Sequence, residues 1–172
     1  MRFPAIVTKI NNFFAIVSGT LIAIMSLFAF IEVVLRNFFD APTIWTTNVS
    51  QYMLLWAIFL VSASTFEQKG HVSVDFIRVT FARKFGTKYA RIVAIPCYCF
   101  CLVHIVVLGW TATELFLQSI ELNRLSLGMV QIPTFYLYGG MIVGCVLMFI
   151  TVVCILFDLL SGSNKFASEE EI

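Results

Sequence analysis

Between Trp45 and Asp75 the sequence sets strict terms for folding. Two tryptophans eleven residues apart open a run of about twenty residues poor in charge, which closes abruptly in Glu67, Lys69, His71 and Asp75. A run of that length and polarity matches the hydrocarbon core of a bilayer, which a helix crosses in about 20 residues. Tryptophan and tyrosine belong at the headgroup level, so Trp45 and Tyr52 mark the outer end of this span. The polar cluster from Glu67 marks the other end.

Three further apolar runs repeat the pattern, and the chain as a whole agrees with it. Of its 172 residues 60% are hydrophobic and 12% charged, about half the roughly 25% charge of soluble domains. The mean hydropathy is +0.94. We therefore expect an all-α integral membrane protein, a single membrane domain with spans over residues 13–36, 45–66, 92–117 and 133–158. The first run follows Arg2 and Lys9 as a signal peptide would. Its apolar core is longer than the 7 to 15 residues of a signal sequence, and no small-residue cleavage site follows before Glu32, so it reads as a retained helix.

Between the second and third spans lies a segment of a different kind. Ile77, Phe81, Phe85 and Tyr89 recur every four residues, with Arg83, Lys84 and Arg91 clustered opposite and Arg78 as an exception on the apolar side. This pattern predicts an amphipathic helix over 75–90 lying in the headgroup region, with Asp75 capping its start and its basic face serving as an anchor to membrane lipids, with a regulatory or partner-binding role as the alternative. The polar end at 161–172 reads as a mobile tail. Nine of the eleven Lys and Arg residues fall in the N-terminus, the segment after the second span and the tail, leaving only Arg36 and Arg124 elsewhere. Both termini are therefore expected in the cytoplasm.

Few residues inside the spans carry chemistry. Glu32 and Arg36 have the spacing and order of a helical ion pair at a span end, which serves either as an interfacial anchor or as a contact with another subunit. Asn48 and Gln51 read as solvated residues of a first helical turn. Pro96 falls near the start of the third span and Pro133 in the first turn of the fourth, both places where proline is tolerated. Gly140 and Gly144 form a small-xxx-small patch for close helix approach. His104 at mid-depth reads as hydrogen-bonded to a neighbouring helix, with a ligand role as the alternative.

Composition also excludes several functions. A net charge of +1 gives no clustered basic excess for nucleic acid. The five cysteines, Cys97, Cys99, Cys101, Cys145 and Cys154, lie in apolar runs and read as small buried hydrophobes; the mid-span CxCxC spacing lacks the setting of a thiol oxidoreductase. With only His71 and His104, at different depths, the chain cannot clamp a haem between paired histidines. No phosphate loop, zinc cluster or nucleophile elbow occurs, so neither a cofactor nor an enzyme is expected. A transporter site at the midplane would need broken helices in related repeats, and four unbroken spans leave little room for one.

The order of residues from Trp45 onward is more specific. Trp45, Tyr52, Leu54, Leu55, Trp56, Phe59, Leu60 and Ala63, followed by Gly70, His71, Val74 and Asp75, form an ordered string of opening tryptophan, LLW, FLxxA and GHxxVD. This resembles the small, DctQ-like membrane subunit of tripartite ATP-independent periplasmic (TRAP) transporters. The likeness extends to Arg36 at the end of the first span and to Ser126, Pro133 and Tyr138 around the start of the fourth. Where that family commonly has acids after the tryptophan and an arginine before the aromatic, this chain has Thr47, Asn48 and Gln51; where it often has a basic residue, Phe66 and Glu67 stand.

The resemblance implies a subunit of a sodium-coupled uptake system for organic acids, of dicarboxylate or sialic acid type, in a bacterial inner membrane. Its partners would be a large polytopic transport subunit and a periplasmic substrate-binding protein, and it would itself carry no substrate site. Glu32, Arg36, Trp45, Gln51, Tyr52, Trp56, His71, Asp75, Ser126, Pro133, Gly140 and Gly144 are the candidates for subunit contact or structural support. His71 and Asp75 are expected to hold the exit from the second span by local hydrogen bonds. The competing expectation is an independent four-helix membrane protein, either a small homo-oligomeric transporter or an assembly factor.

Overall fold

A computed structural model of the protein describes residues 5–40, 43, 45–67, 87–126 and 131–160. Four helices account for nearly all of them: α1 (Ala5–Phe38), α2 (Thr46–Glu67), α3 (Thr87–Glu121) and α4 (Phe135–Leu160). Each is long and apolar enough to cross a membrane. The expected interfacial helix lies mostly outside the described residues, as do His71, Asp75 and the tail at 161–172; residues 87–90, placed within it by the sequence reading, belong to α3.

The helices run longer than expected at several ends. α1 spans 34 residues, about 50 Å at 1.5 Å per residue, well beyond the roughly 30 Å of hydrocarbon. α3 starts at Thr87 and ends at Glu121, so Pro96 sits inside the helix and not near its start. There it removes the bond to the carbonyl of Ile92, a loss that a transmembrane helix tolerates where neighbouring groups re-satisfy the backbone.

The end of α3 shows why the following loop begins where it does. Asn123 takes a left-handed conformation, φ 43°, which Asn adopts more readily than most residues. Arg124 N donates to Ser119 O at 3.1 Å and Asn123 N to Ile120 O at 3.3 Å. These two bonds form a Schellman cap, satisfying carbonyls that the helix end would otherwise orphan.

Packing follows a row and not a closed bundle. Among the described residues α1 lies along α2, α2 along α4, and α4 along α3, giving the spatial order α1–α2–α4–α3. The main apolar cluster joins Ala63 and Phe66 of α2, Ala94, Tyr98 and Ile105 of α3, and Cys145, Met148, Val152, Ile155 and Leu159 of α4. α4 is thus the axis of the fold, whereas α1 buries only 6% of its most apolar window.

Lipid is as apolar as leucine, so burial from water cannot hold these helices together; close packing and interhelical hydrogen bonds must. The α2–α4 seam shows the first. A β-carbon added at Gly144 would stand 2.5 Å from Cβ of Phe59 and 2.7 Å from its carbonyl oxygen; one added at Gly140 would stand 2.8 Å from the Trp56 ring. The small-xxx-small patch is therefore used within this chain, to seat α2.

Hydrogen bonds supply the second. Asn11, 1% exposed, donates through Nδ2 to Glu67 Oε2 at 2.6 Å and to Thr151 Oγ1 at 3.2 Å. One amide so ties α1, α2 and α4 together. Two turns further along α1, Ser18 Oγ donates to the carbonyl of Ala57 at 2.7 Å. Elsewhere Thr20, Ser26, Ser62, Thr65, Thr111 and Thr113 turn their hydroxyls onto carbonyls four residues back, satisfying them without a partner helix.

Candidate functional site

The sequence candidates that the structure brings together lie at one end of the α2–α4 pair. Val49 N donates to Trp45 O at 3.1 Å, so Trp45 is the cap from which α2 departs. Its ring meets Phe28 of α1 edge-on, centroids 5.6 Å apart at 79°. Thr43 and Thr46 share a hydroxyl hydrogen bond of 2.6 Å across this corner. Asn48, expected to be solvated, is 9% exposed; Gln51 is exposed.

Tyr52 and Trp56, one turn apart on α2, both reach the start of α4. Tyr52 Oη donates to the carbonyl of Ile132 at 3.3 Å, and Trp56 Nε1 to that of Tyr136 at 2.9 Å. Tyr136 precedes Gly140 by one turn, so the indole lies across the face where the glycine leaves room. Tyr52 and Trp56 thus act as a clamp on the opening of α4.

Pro133 is placed differently from expectation. α4 begins at Phe135 and Thr134 caps it, its carbonyl accepting from Leu137 N at 3.0 Å and Tyr138 N at 3.4 Å. Pro133 precedes the cap and pairs antiparallel with Leu125. The bonds of that bridge belong to its neighbours, Ser126 N to Ile132 O at 2.9 Å and Thr134 N to Arg124 O at 3.0 Å. Leu125 and Pro133 form the pair that donates nothing across the bridge, which is why the bridge accepts a proline there. Thr134 Oγ1 adds a 3.1 Å hydrogen bond to the buried Ser119 hydroxyl of α3.

Beside this clamp opens a cavity of about 600 Å³, within the usual range of ligand pockets, about 300–1,000 Å³. Gln51, Tyr52 and Leu55 of α2 line one wall, Leu137 and Tyr138 of α4 the other, and Arg124, Leu125, Ser126 and Thr134 form the rim. Among the described residues the Arg124 side chain has no hydrogen-bond or ion-pair partner. Gln51, Tyr52 and Ser126 are the sequence candidates that the cavity unites. Arg124 was visible as a loop residue, but its convergence with them required the bridge to Pro133.

Three expected contacts or burials are not seen among the described residues. Glu32 and Arg36 form no ion pair: Arg36 is exposed at the end of α1, while Oε2 of Glu32 is buried with no hydrogen-bond partner among the described residues. His104 is exposed and has no polar partner among the described residues, since its flank of α3 faces away from α4. Cys99 is also exposed, unlike the buried Cys145.

The polar residues that matter most inside the spans, Asn11, Ser18, Glu67 and Thr151, were not among the sequence candidates. Their signal was present: Asn11 and Ser18 stand seven apart, two turns on one face of a helix otherwise free to be apolar.

Four apolar helices in a row, cross-tied by buried polar side chains, define a multi-pass helical membrane protein. The chain belongs to the DctQ component family of tripartite ATP-independent periplasmic transporters, whose family model matches residues 3–162. It is also 28% identical over 110 residues to a Haemophilus influenzae protein named as a TRAP transporter small permease protein, covering 64% of this chain and 68% of that relative.

Proposed function

We propose that this chain is a supporting subunit of a sodium-coupled TRAP transporter for organic acids, and that it acts by holding a larger transport subunit at a fixed depth and tilt. The observation that carries this reading is the open row of helices: α1 leaves an apolar face running nearly its whole length uncovered by the other described residues. A larger polytopic partner seated there would turn the row into one wide static wall, against which mobile elements of the partner can move substrate. The loops near Trp45 and Arg124 would face a soluble substrate-binding protein from the side opposite the basic segments.

Copurification from membranes tests this. Supporting function predicts a one-to-one complex with a much larger membrane subunit, and uptake into proteoliposomes only when both are present with the binding protein. Self-association alone, or sodium-dependent organic-acid uptake by this chain by itself, would overturn it.

A further inference from the structure

The cavity between α2 and α4 has two halves of different chemistry. Its rim carries Arg124, whose side chain is unpaired among the described residues, together with Ser126; its walls run from Gln51 past Leu55 on α2 and along Leu137 on α4, between two membrane helices. Among the described residues no acidic side chain lines it. Leu55 lies four residues beyond Gln51 on α2, about 6 Å further along the helix at 1.5 Å per residue. Polar and cationic at the interface, apolar below it, the cavity has the polarity profile of a phospholipid.

We propose that it is a binding site for one anionic phospholipid, with the headgroup phosphate on Arg124 and the upper part of an acyl chain along Leu55 and Leu137. Guanidinium pairs with phosphate through two parallel hydrogen bonds, and basic pockets between membrane helices take lipid headgroups for that reason. A soluble anion would satisfy the rim but leave the apolar wall wet. An acidic side chain from a partner protein would do the same. Only a ligand amphiphilic along its length matches both halves. The site is held open by the Leu125–Pro133 bridge and the Tyr52 hydrogen bond, so it exists before the lipid arrives. This inference does not depend on the supporting role proposed above.

Native mass spectrometry of the full chain, stripped of lipid and re-exposed to dioleoyl phosphatidylglycerol or to dioleoylglycerol, tests it. We expect one phosphatidylglycerol retained per chain and little dioleoylglycerol. Arg124→Gln should lower the retained fraction about tenfold, the loss of one charged hydrogen-bonding group, and Arg124→Lys should recover much of it. Leu137→Trp, which fills the apolar wall, should lower it with Arg124 intact. Arg124 is exposed and holds the loop through its backbone, so its substitution leaves the fold in place. Equal retention by wild type and Arg124→Gln, or of lipid with and without phosphate, would overturn the proposal. Displacement of the bound lipid by an equimolar amount of inorganic phosphate or of a glutamate-rich peptide would do so as well, reassigning the cavity to a soluble anion or an acidic protein.

Discussion

Asn11 ties three helices together through one amide. Its amide meets a carboxylate on α2 and a hydroxyl on α4, and the Thr151 hydroxyl in turn donates to Leu147 O at 2.9 Å. Removing it leaves Glu67 without its donor in a half-buried setting, which costs about 1–3 kcal/mol for an unsatisfied polar group. Asn11→Leu should therefore lower the thermal midpoint of the purified chain, whereas Thr151→Val, which loses only the weaker of the two bonds, should lower it less. A larger effect from Thr151→Val would mean that the node is centred on α4 and not on Asn11. At the same scale, alanine at both His71 and Asp75 should reduce the yield of intact complex; unchanged assembly would remove them from the structural candidates.

At the scale of elements, the seam between α2 and α4 is tight at two glycines of α4. The neighbour of Gly144 is backbone and cannot turn aside, while that of Gly140 is an indole ring with rotamers of its own. Gly144→Ala should thus be the more damaging of the two, by about 1–3 kcal/mol of overpacking. Gly139→Ala, whose added carbon would find its nearest neighbour at 3.9 Å, should be close to neutral. Melting of the three purified variants checks the order, and equal melting of Gly144→Ala and Gly139→Ala would refute the seam. The glycine spacing and the Leu54-Leu55-Trp56 run were both legible in the sequence. Their mutual fit was not, because it depends on which two helices meet and at what height.

For the whole molecule, the row α1–α2–α4–α3 is what separates this protein from a closed four-helix bundle. Its two flanks leave large apolar surfaces, Phe13, Ile16 and Phe30 on α1 and Phe100, Val103 and Trp110 on α3 among them. Lipid or a partner helix can cover either one. Orientation is testable at this scale through exposed Asp40 and the tail residue Lys165. In a cysteine-free background Asp40→Cys should label with an impermeant thiol reagent in cells with an opened outer membrane, and Lys165→Cys only after the inner membrane is permeabilised. The reverse pattern would invert the topology drawn from the distribution of basic residues.

The sequence by itself determined that the chain crosses a membrane four times as helices, because twenty-residue apolar runs in lipid must satisfy their backbones internally. It also determined the family, through an ordered string of residues from Trp45 to Asp75 that composition alone does not require. Tertiary structure decided what local spacing cannot express. It set the order of the helices, seated α2 on the glycines of α4, and left Glu32 and Arg36 apart although helical spacing allowed them to meet. It also gathered Arg124, Gln51 and Ser126 around one cavity. Helix formation is a property of neighbours along the chain, and lipid enforces it. Which faces meet depends on side-chain shape and a few buried hydrogen bonds between residues as far apart as Asn11 and Thr151.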